Sequence, residues 1–171
     1  MLRPLQQWTC DCCRLVIESG SDGVVEWLED NGRRAYGFKI VHHLPISPLR
    51  ISTVTGCYYY MDRPNRAEIR LDFLLDSDGL ARLLLFLDVD YQNCPAQVSH
   101  REIAELCRRL MLPYYEEARL YWSTATKDGF FGNKSPASAY LEATLRGMIE
   151  EYGPGTRRTG IPAPSRSAPL K

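Results

Sequence analysis

Trp8-Thr9-Cys10-Asp11-Cys12-Cys13 decides how the rest of the chain is read. Three thiols fall within four residues, and Cys10 and Cys13 have the Cys-x-x-Cys spacing that lets two sulfurs approach one point. That spacing serves a metal ion or a redox dithiol. A redox dithiol favours a βαβ setting with its first thiol at a helix N-terminus. Here residues 14–18 read as extended, so the metal reading is preferred.

A structural zinc takes four ligands in a tetrahedron, mostly cysteine thiolates and histidine nitrogens. Cys10 and Cys13 are the first pair. Cys12 is a spare thiol, and a Cys-x-Cys bite with Cys10 is the alternative. The second pair comes from the His42-His43 dipeptide and Cys57. The expected set is Cys10, Cys13, His43 and Cys57, with His42 as the alternative to His43. An unliganded cluster, with a satisfied histidine and small buried thiols, is the competing reading.

Around these residues the pattern is β. Val24, Val25, Trp27 and Leu28 form a strand, and Asn31-Gly32 is a hairpin turn signal. Tyr36, Phe38 and Ile40 alternate on the return strand. Residues 51–60 are β-branched and aromatic and read as a further strand. With Asn31-Gly32 at the turn, His42 and His43 face Ser21 and Gly20. If residues 14–18 ran on as a full strand, Cys13 would lie some 20 Å from the histidines, at about 3.3 Å per residue. The zinc reading therefore requires residues 14–22 to curl back.

The first 60 residues resemble the zinc-ribbon and treble-clef group: a knuckle, a hairpin, then a second ligand pair. The likeness spans about residues 8–60. It implies a structural zinc. Two places depart from the family pattern. Arg14 stands where the knuckle usually has Gly, and the second pair is about fourteen residues apart rather than close. Val41-His42-His43-Leu44-Pro45-Ile46-Ser47 also resembles the Asp-His-x-x-Pro-x-Ser core of HNH-type nucleases. That likeness makes His42 a general base, but Val41 replaces the metal-ligand Asp.

Residues 61–66 read as a boundary, after which the period becomes helical. Ser77 or Asp78 can cap a helix to about residue 87. Ser99 and Glu102 have capping-box spacing, and Ile103, Leu106, Cys107 and Leu110 share a face behind them. Further helices start at Pro113 and Ser135-Pro136, and Asp128-Gly129 ends the first of these. The expected organisation is a β-rich zinc-binding module at 1–62, a helical domain at 63–152 and a disordered tail at 153–171. The tail is rich in Pro, Gly, Ser and Arg and poor in large apolar residues. The fold class is α+β, with a small N-terminal antiparallel β module followed by a C-terminal helical bundle.

Lys and Arg number 21, as do Asp and Glu, so the formal net charge is zero. That balance argues against a general nucleic-acid or membrane-surface binder. No secretory h-region and no spanning apolar run are visible, so a cytoplasmic protein is expected. There is no phosphate-binding Gly-rich loop, no nucleophile elbow and no His-Glu-x-x-His helix. The pairs Glu116-Glu117 and Glu150-Glu151 read as solvated helix faces. A helix-turn-helix over 102–110 and 114 onward would open its reading helix with Tyr-Tyr-Glu-Glu, the wrong charge for phosphate. The expected function is a non-enzymatic zinc-binding adaptor or regulator with a protein partner or a second copy of itself. The alternatives are an HNH-like nuclease centred on His42 and a helix-turn-helix DNA-binding regulator.

Overall fold

A hairpin forms where the alternation places it. In the computed structural model, which describes residues 1–31, 34–50, 56–60, 63–87, 99–132 and 135–154, β3 (Gly23–Glu29) lies antiparallel to β4 (Ala35–His42). Val24, Val25, Trp27 and Leu28 are buried on β3, and Ile40 and Val41 on β4. The register differs from that of a two-residue turn. Gly23, not Ser21, lies opposite His42, and the pairing shifts between Glu26 and Leu28. Gly37 sits in that irregularity at φ +72, a conformation that favours glycine. The described hairpin closes on Asp30 and Arg34, whose backbones bond at 3.1 Å. Gly32 of the expected turn lies outside the described residues.

A third strand, β5 (Arg66–Arg70), pairs with the other edge of β3, giving the order β4-β3-β5. It falls where the reading expects helix. Ala67 and Ile69 alternate with Arg66, Glu68 and Arg70, a period of two within a stretch too short to stand out. β1 (Trp8–Thr9) and β2 (Val16–Ile17) form a separate antiparallel pair. Of the expected strand at 51–60, residues 51–55 lie outside the described residues and 56–60 are irregular.

The helices are α1 (Gly79–Leu85), α2 (His100–Met111), α3 (Tyr115–Ala118), α4 (Trp122–Lys127) and α5 (Glu142–Tyr152). Two small antiparallel sheets and these helices make the fold α+β. α2 buries the face read from its sequence: Ile103, Leu106 and Leu110 are inside. The capping box behind it is not made. The Ser99 side chain caps nothing, and Glu102 instead accepts a hydrogen bond from the Gly37 N–H at 2.7 Å. The irregularity in β4 leaves that N–H without a strand partner, and a carboxylate within reach satisfies it.

Buried apolar residues form two clusters. One joins Trp8, Ile17, Val25 and Ile40 to Leu71, Leu83 and the inner face of α2. The other joins Tyr115, Ala118 and Ala125 to Leu145, Met148 and Ile149. The three-stranded sheet and the first cluster both draw on residues before and after 62. Most of the expected tail, 155–171, lies outside the described residues. Among the described residues no helix is long and apolar enough to cross a membrane.

Candidate metal centre

The cysteine turn is the loop between β1 and β2. Cys10 N–H donates to Leu15 O at 2.9 Å, and Arg14 N–H donates to Cys10 O at 3.0 Å. Arg14 takes φ +67, the left-handed conformation for which Gly is usual at this place in zinc knuckles. Cys13 N–H points to Cys10 Sγ at 3.5 Å, and the Leu15 N–H faces the Cys13 thiol. Backbone N–H groups aimed at sulfur favour the thiolate, the form that binds metal.

After β2 the chain curls back through a 3-10 turn, Gly20–Asp22, and enters β3 opposite the end of β4. This return keeps the turn near the histidines. Asp11 then docks the turn on the outer edge of β4. Its N–H donates to Ile40 O, and its Oδ2 accepts from Ile40 N–H, both at 2.8 Å.

His42 is 5% exposed. Its Nε2 lies 3.1 Å from Val16 O. A carbonyl only accepts, so Nε2 carries the proton and Nδ1 keeps its lone pair. That Nδ1 is 3.4 Å from Cys13 Sγ. A carbonyl holding the far ring nitrogen is the usual outer support of a metal-bound histidine.

Cys57 arrives on the irregular segment 56–60, fixed at three points. Its N–H donates to Ser47 Oγ at 2.8 Å. Tyr59 N–H donates to Glu26 Oε2 at 2.9 Å, and Tyr60 Oη to Gly37 O at 2.6 Å. Glu26 is fully buried and paired with Arg66 Nε at 2.9 Å.

One ligand atom from each of Cys10, Cys13, His42 and Cys57 lies within 4.8 Å of the others. Donors of a tetrahedral zinc, at Zn–S about 2.3 Å, sit about 3.7 Å apart. The set therefore fits zinc with a modest contraction. Burial pushes the Cys13 thiol up to about 12, against the Leu15 N–H, and the Cys10 and Cys57 thiols add to the rise. A cation among them reverses this, because a coordinating thiol is deprotonated.

His43 is outside the group. Successive strand residues point to opposite faces, so only one of the pair can face the sulfurs. His43 N–H instead bonds Asp22 O at 2.7 Å. Cys12 is half-buried, with its Sγ 4.0 Å from Tyr58 O. Cys94 lies outside the described residues.

A charged network beneath the turn has no sequence signal. Arg109 on α2 donates through Nη1 to Asp11 Oδ2 at 2.6 Å, and through Nε and Nη2 to Glu116 at 2.8 and 2.9 Å. Arg119 also bonds Glu116, through Nε at 3.0 Å and Nη2 at 2.9 Å. Thr9 N–H completes the carboxylate at 3.0 Å. Glu116 and Glu117 are thus buried rather than solvated, at 6% and 5% exposure. Burial raises the Glu116 pKa, but the Arg109 and Arg119 guanidinium groups outweigh it and hold the carboxyl below its ordinary range. No protein-family model, curated protein or solved structure matches the chain, so the case for a metal centre stands on four donors and their geometry.

Proposed function

We propose that the protein holds one structural zinc ion through Cys10, Cys13, His42 and Cys57, in a zinc-ribbon-like arrangement, and acts as a non-enzymatic adaptor or regulator. The observation that carries this reading is the convergence of four donors from three separated segments on one point. Four protein donors fill a tetrahedron and leave no open position for substrate, which favours a structural over a catalytic role. A small β module also gains folding energy from such a link, because metal binding and folding are coupled.

Partner binding is supported by the apolar rim of the centre. Leu15, Val16 and Ile46 are 56%, 38% and 48% exposed and border a small cavity that His42 also lines. A protein partner or a second copy would cover them. The nuclease reading fares worse. His42 spends Nε2 on Val16 O and turns Nδ1 to the sulfurs, which leaves no nitrogen to activate water. The helix-turn-helix reading needs an exposed reading helix, whereas α3 has only four residues, all of them buried.

Elemental analysis of protein purified without chelator tests the metal, beside a Cys10→Ser/Cys13→Ser variant. One equivalent of zinc, lost in the variant together with folding, supports the reading. Metal-free protein that is fully folded removes it. Size-exclusion chromatography with mass measurement, run on the parent chain and on Leu15→Glu/Ile46→Glu, tests the rim. A monomer with no partner and with metal-dependent turnover would put an enzyme in its place.

A further inference from the structure

A second cavity, of about 750 Å³, opens between β4 and the helices α2 to α4. Small-molecule sites run about 300–1,000 Å³. None of the four metal donors lines it, so it is a separate feature of the fold.

Its walls carry five basic side chains and two acidic ones. Arg109 and Arg119 are matched behind the wall by Asp11 and Glu116. Lys39, Arg101 and Arg108 then face Glu102 and Glu105, an excess of one positive charge. Both acids are already engaged. Glu102 accepts the Gly37 N–H, and Glu105 accepts the Tyr115 hydroxyl at 2.6 Å, with Arg108 only at 3.5 Å. Lys39 Nζ has the Tyr59 ring for company at 4.9 Å, and Arg101 has no partner among the described residues.

The same cavity has a flat aromatic wall. The Trp122 and Tyr140 rings stack at 5.1 Å and 21°. The Arg108 guanidinium lies over Tyr140 at 4.4 Å from the ring centroid. Trp122 packs further on Phe131, at 4.8 Å between ring centroids, so the stack is braced from behind. A guanidinium held flat on an aromatic ring can itself stack on a planar group and donate N–H bonds from its edge. Unpaired cations select an acidic group, and the wall selects a flat one.

We propose that this cavity binds a small organic anion, a flat unsaturated ring bearing a phosphate or carboxylate group. Arg101, Arg108 and Lys39 hold the acid, and the Trp122–Tyr140 stack borders the ring.

Isothermal titration of the full chain tests this with adenosine monophosphate for the phosphate source and benzoate for the carboxylate source. Inorganic phosphate serves as the ring-free control. The expected result is saturable one-site binding of at least one ring-bearing probe, weakened about tenfold or more by Arg101→Glu, since a charge-assisted contact is lost and its sign reversed. Arg101 is an exposed helix residue, and circular dichroism checks that the variant stays folded. Should it not fold, Arg101→Gln is read in the same way. No saturable binding of either probe to millimolar concentration overturns the proposal. Equal affinity in the variant, or inorganic phosphate bound as tightly as adenosine monophosphate, does so too. A single-stranded oligonucleotide bound more tightly than the mononucleotide replaces the cavity site with a strand-binding surface. Zinc content measured on the same samples keeps failure of this site separate from failure of the metal reading.

Discussion

Asp11 and Ile40 hold each other by two hydrogen bonds of 2.8 Å, one through each backbone N–H. The contact fixes one residue of the cysteine turn to the edge of β4, two residues before His42. The Asp11 carboxylate also reaches Arg109 on α2 at 2.6 Å. One side chain thus joins the sheet, the turn with two of the proposed ligands, and the helix packed behind them. What brings Cys13 beside His42 is this docking, not the turn alone.

The two histidines should separate cleanly in a metal assay. His42→Ala is expected to lose zinc and to unfold at lower denaturant than the parent. His43→Ala should keep one equivalent of zinc. The opposite ranking by elemental analysis would move the ligand to His43.

Glu116→Gln should cost about 3 kcal/mol or more in urea unfolding, because it weakens two buried guanidinium contacts at once. The pH dependence follows from the sign of the shift. The folded carboxyl titrates below its ordinary value of 4.5. Its contribution is therefore complete above that value and is lost as pH falls through the lowered folded pKa. The gap in stability between parent and variant should narrow with acidification below about pH 4.5. A gap that widens on acidification would contradict the assignment.

Arg14 holds a conformation that costs an L-residue about 1 kcal/mol or more and glycine almost nothing. Arg14→Gly should leave zinc content unchanged and raise stability by about 0.5–1 kcal/mol once the added freedom of the unfolded chain is subtracted. Arg14→Val should lower it. Thermal melts of the three proteins, matched for zinc, give the order.

Cys57 depends on its support. Ser47→Ala leaves the buried Cys57 N–H without an acceptor and should cost about 1–2 kcal/mol. Through the displaced sulfur it should weaken zinc binding about tenfold to a hundredfold, the range for outer-shell partners. Competition with a chromophoric chelator reads the change. Unaltered affinity would mean that segment 56–60 does not position the ligand.

Several features follow from the amino-acid sequence alone. The α+β class follows from the change of apolar period. The β3–β4 hairpin is legible because Val24, Val25, Phe38 and Ile40 repeat every other residue or run together between turn signals. The inner face of α2 is legible from Ile103, Leu106 and Leu110. The pairing of Cys10 with Cys13 is legible from their spacing. Each depends on neighbours a few residues apart, where chain geometry leaves little choice. Other features depend on which distant edges meet. The histidine phase at the knuckle depends on the shift in the hairpin register and on Asp11 docking at Ile40. Strand β5 and the position of Cys57 depend on β3 and on Ser47 and Glu26. The pair Glu116-Glu117 looks solvated because its partners lie far away along the chain, as the Leu2 and Thr9 N–H groups do, or on another helix, as Arg109 does. Local periodicity is written into the order of residues, whereas long-range satisfaction of buried charges and donors is decided only when the folded surfaces come together.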